Sequence, residues 1–220
     1  MDDSTTQDVY RRQGFGQRLG FGERPALLII DMQHDFCSEE SKGTLWPGIL
    51  ETIEPTARLA AAARAHGVPV IYSQGLVAAD GSSMGLWRHK ITYHGTIQIE
   101  GSPGAEIIPE LAPQPGDRVI RKWRPSVFFR TDLEVFLGRW GIDTLLLAGT
   151  SLSGCVRATT VDAFMRDIRP MIVRECVADR SEAVLEANFF DLDQKYADVV
   201  GVEETIAYVE ALQPAAESAA

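Results

Sequence analysis

The chain has 220 residues, 45% of them apolar, and a formal net charge of −10. That is enough apolar material for one good core, and no linker divides it, so a single domain is expected. An acidic chain without a run of Lys or Arg is a poor nucleic-acid or membrane-surface binder, and no apolar stretch approaches the roughly 20 residues that span a bilayer. Met1 to Asp8 is polar and carries Asp2, Asp3 and Asp8, unlike a signal peptide. Three cysteines without framework spacing fit a reducing compartment, so a cytoplasmic protein is expected. Cys37 and Cys176 read as small buried apolar residues.

Residues 1–24 read as an extended arm, because Tyr10 to Arg24 is rich in Gly and Arg and lacks an apolar period. Ala26 to Ile30 is an aliphatic run ending at Asp31, the pattern of a strand buried on both faces. Ile49 to His66 has near-helical apolar spacing and stops at Gly67. Val68 to Tyr72 is a second strand. Gln74 to Gly116 has no clear period and is too long for a bare loop, so it should hold short elements and some function. Then strands and helices alternate: strand Arg118–Lys122, helix Asp132–Trp140 with Thr131 as a cap, strand Asp143–Ala148, helix Val156–Asp167. Strand Pro170–Glu175, helix Glu182–Tyr196, strand Val199–Val202 and helix Glu204–Leu212 follow, and residues 213–220 should fray. This alternation predicts an α/β fold: a doubly wound, mainly parallel sheet with helices on both faces, over residues 25–212.

In such sheets the ligand crevice lies at the carboxyl ends of the strands. Asp31 ends the first strand, Lys122 ends a middle one, and Cys155 follows the strand ending at Ala148 and opens a helix. A helix N-terminus stabilises a thiolate, and a nearby lysine would do so further. A carboxylate could take the thiol proton. Singly, each residue has an ordinary reading: an Asp cap or metal ligand, a solvated Lys, a structural Cys. Their shared edge favours an active site.

Three segments carry a resemblance. Leu28-Ile29-Ile30-Asp31-Met32-Gln33, Lys122-Trp123-Arg124-Pro125-Ser126-Val127-Phe128 and Ala148-Gly149-Thr150-Ser151-Leu152-Ser153-Gly154-Cys155-Val156-Arg157-Ala158-Thr159 resemble the signature segments of the isochorismatase-like cysteine hydrolases, in order and spacing. The similarity runs from about Gly20 to Val202. Ser153 to Thr159, and Ala187 through Val199, most resemble N-carbamoylsarcosine amidases and maleamate amidases. The resemblance implies Cys155 as nucleophile, Asp31 as base and then acid, and Lys122 holding both. It also implies a cis peptide at Thr150–Ser151 and an oxyanion hole formed by the N–H groups of Ser151 and Cys155. It further implies a homotetramer, and the arm is expected to gain order by lying on a neighbour's surface.

Departures narrow the reading. Related nicotinamidases bind a metal through an Asp and two His, but Tyr72-Ser73-Gln74-Gly75 stands where their His motif would be. No metal or other cofactor is therefore expected, and His34, His66, His89 and His94 read as exposed or loop residues. Isochorismatases proper lack the cysteine, so Cys155 argues against vinyl-ether hydrolysis. Arg180 matches a carboxylate-holding position of the resembling amidases, with a salt bridge to Asp179 or Glu182 as the alternative. Trp87 and Thr150 are further candidates for the substrate pocket, though Trp87 could equally be packing. The expected activity is hydrolysis of a small linear amide or carbamoyl compound with release of ammonia. A hydrolase of biuret or ureido compounds, or another isochorismatase-like hydrolase acting on a different bond, competes with it, and so does a catalytically silent α/β binding module.

Overall fold

The computed structural model describes residues 3–91 and 97–212. His94 and the tail 213–220 lie outside them. Six strands form one parallel sheet: β1 (Pro25–Ile30), β2 (Val70–Gly75), β3 (Arg118–Lys122), β4 (Thr144–Thr150), β5 (Arg169–Ala178) and β6 (Asp198–Val200). Their order is β3-β2-β1-β4-β5-β6. The chain therefore winds outward from β1 to β3, then returns beside β1 as β4 and winds the other way. That reversal opens a crevice at the carboxyl ends of β1 and β4.

The continuous aliphatic run of β1 is explained by two-sided burial. Leu27 and Ile29 join Tyr72, Leu146, Ala148 and Met171 on one face, under helices α3 (Ile53–Ala65) and α8 (Val202–Glu210). Ala26, Leu28 and Ile30 join Leu145, Leu147 and Ile172 on the other, under α5 (Leu133–Trp140), α6 (Arg157–Phe164) and α7 (Glu182–Lys195). Each fully buried Leu or Ile contributes roughly 1.5–3 kcal/mol. The two central strands meet closely at Gly149. It sits at φ 108°, and a Cβ there would lie 2.0 Å from the Ile30 carbonyl oxygen, so no other residue fits.

The long stretch between β2 and β3 contains 3₁₀ turns at Ser82–Met84, Pro103–Ala105 and Pro109–Leu111 and a single helical turn, α4 (Trp87–Lys90). A short helix α2 (His34–Cys37) follows β1. Isolated bridges Val77–Ile99 and Gln33–Ile107 fasten this stretch over the crevice. Among the described residues, no helix is long and apolar enough to cross a membrane.

The N-terminal segment differs from the expected extended arm. Asp3–Arg12 is a helix, α1. Asp8 pairs with Arg11 one turn on, and Tyr10 stacks edge-on against Phe190 of α7 at 5.4 Å, so docking supplies the order that apolar period does not. The extended part is confined to residues 13–24, and it lies on its own chain. Leu19 and Gly20 donate their N–H groups to buried Asp198 at 3.0 and 2.8 Å, and Phe21 stacks on Tyr208 at 4.2 Å. This segment thus has partners within its own chain.

Candidate active site

The three strand-end residues converge. Lys122 Nζ lies 2.7 Å from Asp31 Oδ2 and 3.3 Å from Cys155 Sγ. Asp31 and Lys122 are almost fully buried, while Cys155 is half-buried. Asp31 leaves β1 in the left-handed region at φ 53°, which costs roughly 1–2 kcal/mol for a residue with a Cβ. Its Oδ1 accepts the Ser73 hydroxyl at 2.6 Å, which leaves Oδ2 for the ammonium. Ser73 lies inside the adjacent strand β2, level with Ile30, and no local sequence pattern marks it.

Cys155 is not in the first turn of an α-helix, as its sequence suggested. It belongs to a π-helical turn, Leu152–Val156, that precedes α6. The Asp179 carboxylate accepts the Ser153 N–H of this turn at 2.6 Å and the Arg180 N–H at 2.8 Å. The nucleophile turn and the Arg180 backbone are thereby tied to one side chain. The peptide bond Thr150–Ser151 is cis.

Electrostatics place the proton. Burial pushes the Cys155 thiol up to about 12; Lys122 pulls it down and Asp31 pushes it up. Burial alone would lower the Lys122 pKa, but Asp31 and Cys155 at its ammonium outweigh it and hold it above its ordinary value.

These residues line a cavity of about 430 Å³. Asp31, Lys122 and Cys155 form its floor with Ser151 and Gly154, while Leu76, Met84, Trp87, Ile97 and Gln98 come from the long stretch after β2. Arg124 and Arg180 are its cations. Arg124 is engaged: its guanidinium donates to the carbonyls of Ser83 and Trp123. The Arg180 side chain makes no hydrogen bond or ion pair among the described residues; Asp179, its alternative partner, is held by backbone N–H groups. Trp87 lines the cavity and is 44% exposed.

Thr150 is a correction. It is still part of β4, paired with Ala178 of β5, and its fully buried side chain does not line the cavity. The chain turns into the site one residue later, at Ser151. His34, His66 and His89 are exposed. Among the described residues, no group of three or more His, Cys, Asp or Glu side chains could hold a metal ion.

Known proteins similar to this chain carry related names. The isochorismatase domain model matches residues 25–204. Maleamate amidohydrolase of Pseudomonas putida is 41% identical over 90% of this chain and 92% of its own length. N-carbamoylsarcosine amidase of an Arthrobacter species is 39% identical over 93% and 78%. A cysteine hydrolase from Pseudomonas syringae pv. phaseolicola superposes with a TM-score of 0.85 at 27% identity, covering 89% of this chain and 97% of that one. Sequence match and shared architecture agree, and the chain belongs to the isochorismatase domain family.

Proposed function

We propose that this protein is a cysteine-dependent amidohydrolase that cleaves the C–N bond of a small linear amide or carbamoyl compound bearing a carboxylate, releasing ammonia. The observation that carries the reading is the position of Lys122 Nζ, in contact with both Asp31 Oδ2 and Cys155 Sγ in the lining of one cavity. The names of two amidases similar in sequence support the same bond and substrate class.

In this mechanism Sγ attacks the amide carbon while Asp31 takes the thiol proton, so a free thiolate need not accumulate. The oxyanion that forms from the carbonyl accepts hydrogen bonds from the N–H groups of Ser151 and Cys155. Lys122 stays protonated and offsets the charge passing between oxygen and sulfur. Asp31 then gives its proton to the nitrogen, the C–N bond breaks and ammonia leaves. A thioester remains from an amide, or a thiocarbamate from a carbamoyl group. Water attacks it with Asp31 as base, the C–S bond breaks, and the proton returns to sulfur. Arg180 grips the substrate carboxylate through two parallel N–H···O bonds.

The test is ammonia release across maleamate-like half-amides and N-carbamoyl amino acids, with wild type and Cys155→Ala. The wild type should act on at least one member. The variant should fold and retain below roughly 1% of the rate; retention above roughly 5% would overturn the nucleophile assignment.

A further inference from the structure

Beside the catalytic carboxylate lies a second polar side chain that the mechanism has not used. Gln98 lines the same cavity as Asp31 and Cys155. It sits in the left-handed region at φ 54°, a conformation that non-glycine residues keep only when their surroundings hold it. Here the Asp35 carboxylate accepts its N–H at 2.5 Å. Its side chain is held as well. The buried Gln33 donates Nε2 to the carbonyls of Gly75 and Ala105 at 2.9 and 2.7 Å and accepts the Gly75 N–H on Oε1 at 2.9 Å. Two carbonyls on one side and an N–H on the other fix which end of Gln33 is oxygen.

That orientation fixes Gln98 in turn. Gln98 Nε2 donates to Gln33 Oε1 at 3.2 Å, so its own Oε1 is the opposite end. Among the described residues nothing donates to this oxygen. Gly75 keeps the place open. A Cβ on Gly75 would lie 2.5 Å from Gln98 Nε2 and 3.5 Å from Asp31 Oδ2, so the carboxamide and the catalytic carboxylate flank the same bare glycine, where a side chain would displace Gln98.

We infer that Gln98 Oε1 accepts a hydrogen bond from the scissile nitrogen and so makes Gln98 the residue that favours a leaving group carrying an N–H over one that carries none. The inference rests on the amide-hydrolase reading above. A fixed acceptor on one N–H turns the nitrogen lone pair toward the proton that Asp31 carries. As that proton arrives the nitrogen becomes positive, and an N–H···O bond to a cationic donor is about twice as strong as a neutral one. The contact therefore strengthens in the transition state and acts on kcat more than on KM.

The experiment uses the full chain and, for the acid whose amide is turned over best, its primary amide and its methyl ester, which has no N–H to offer. Gln98→Leu should lower the amide-to-ester ratio of kcat by about ten- to a hundred-fold, with the amide KM changed less than about threefold. Gln98→Met keeps the length, removes the acceptor and carries the same expectation where Gln98→Leu does not fold. Gln98→Glu restores an acceptor and should recover at least about half of the loss on a logarithmic scale. A ratio within about threefold of wild type in the folded Leu or Met variant overturns the inference. Wild type that releases no ammonia from any amide overturns the amide-hydrolase reading instead, so the two failures are distinct.

Discussion

Lys122 and Asp31 form an ion pair at 2.7 Å in which both side chains are at most 2% exposed. Such a pair contributes little net stability when whole, because two charges have left water, yet removing one partner leaves the other uncompensated. Lys122→Met should abolish activity and destabilise the fold by about 3–5 kcal/mol at neutral pH. Adding Asp31→Asn should restore part of that stability without restoring activity. Urea denaturation of the two single variants and the double closes the cycle. Additive losses would mean that the pair is not coupled and that Lys122 is held by other contacts.

Three thiols give the protein an alkaline limit. Burial pushes Cys37, Cys155 and Cys176 from 9.0 to about 12. Between those values the unfolded chain releases thiol protons that the native chain keeps. Stability is then complete below pH 9 and falls as pH rises toward 12, by about 1.4 kcal/mol per pH unit for each thiol. Replacing Cys37 and Cys176 together by Ala should leave a shallower slope, whatever the change in stability at neutral pH. The measurement is the urea midpoint from pH 8 to 10.5 under reducing conditions. An unchanged slope would assign the alkaline loss to other groups, among them Tyr208, which burial also raises to about 12.

The N-terminal segment predicts a different kind of loss. Asp198 is 1% exposed, accepts the N–H groups of Leu19 and Gly20, and meets Arg18 Nε at 3.3 Å. Asp198→Ala removes an acceptor for two backbone donors and should cost about 3 kcal/mol. Deleting residues 1–24 should cost a comparable amount, since it leaves the same carboxylate bare. Because both changes break the same contacts, their combination should cost clearly less than their sum. If the losses add, Asp198 draws its partners from elsewhere.

Much of this was legible in the sequence, and what was missed has local causes. The aliphatic run before Asp31 could be only a two-sided strand, and β3 begins and ends where its pattern said. Strand–helix alternation then put Asp31, Lys122 and Cys155 on one edge without any contact being known. The π-helical turn was invisible because its buried residues, Leu152 and Val156, stand four apart as in an ordinary α-helix. Thr150 was misplaced by a single residue: β4 runs two residues past its last aliphatic side chain, through Gly149, and carries Thr150 into the core. Helix α1 was missed because contacts with Phe190 and Phe15, not its own spacing, bury Tyr10. Gln98 sits in a stretch without period, and its role depends on a glutamine 65 positions away, which no local pattern encodes.

Arg180 is where the substrate assignment can fail most visibly. The chain carries a net charge of −10, so an anionic substrate needs a local cation, and the cavity lining has two arginines besides buried Lys122. Arg124 already holds two carbonyls, whereas the Arg180 guanidinium makes no bond among the described residues and is free to take a carboxylate. A charge-assisted contact of this kind is worth roughly 1.5–3 kcal/mol. Arg180→Ala should therefore lower kcat/KM on the acid substrate by about ten- to a hundred-fold. Arg180→Lys should recover part of this, since an ammonium lacks the two parallel donors. A neutral analogue, with a methyl or amide group in place of the carboxylate, should be a poor substrate for wild type and lose little more in Arg180→Ala. The fold should be unaffected, because Asp179 binds the Arg180 backbone N–H and not its side chain. Equal loss on the charged and neutral substrates would make Arg180 structural and leave Arg124 as the cation to examine next.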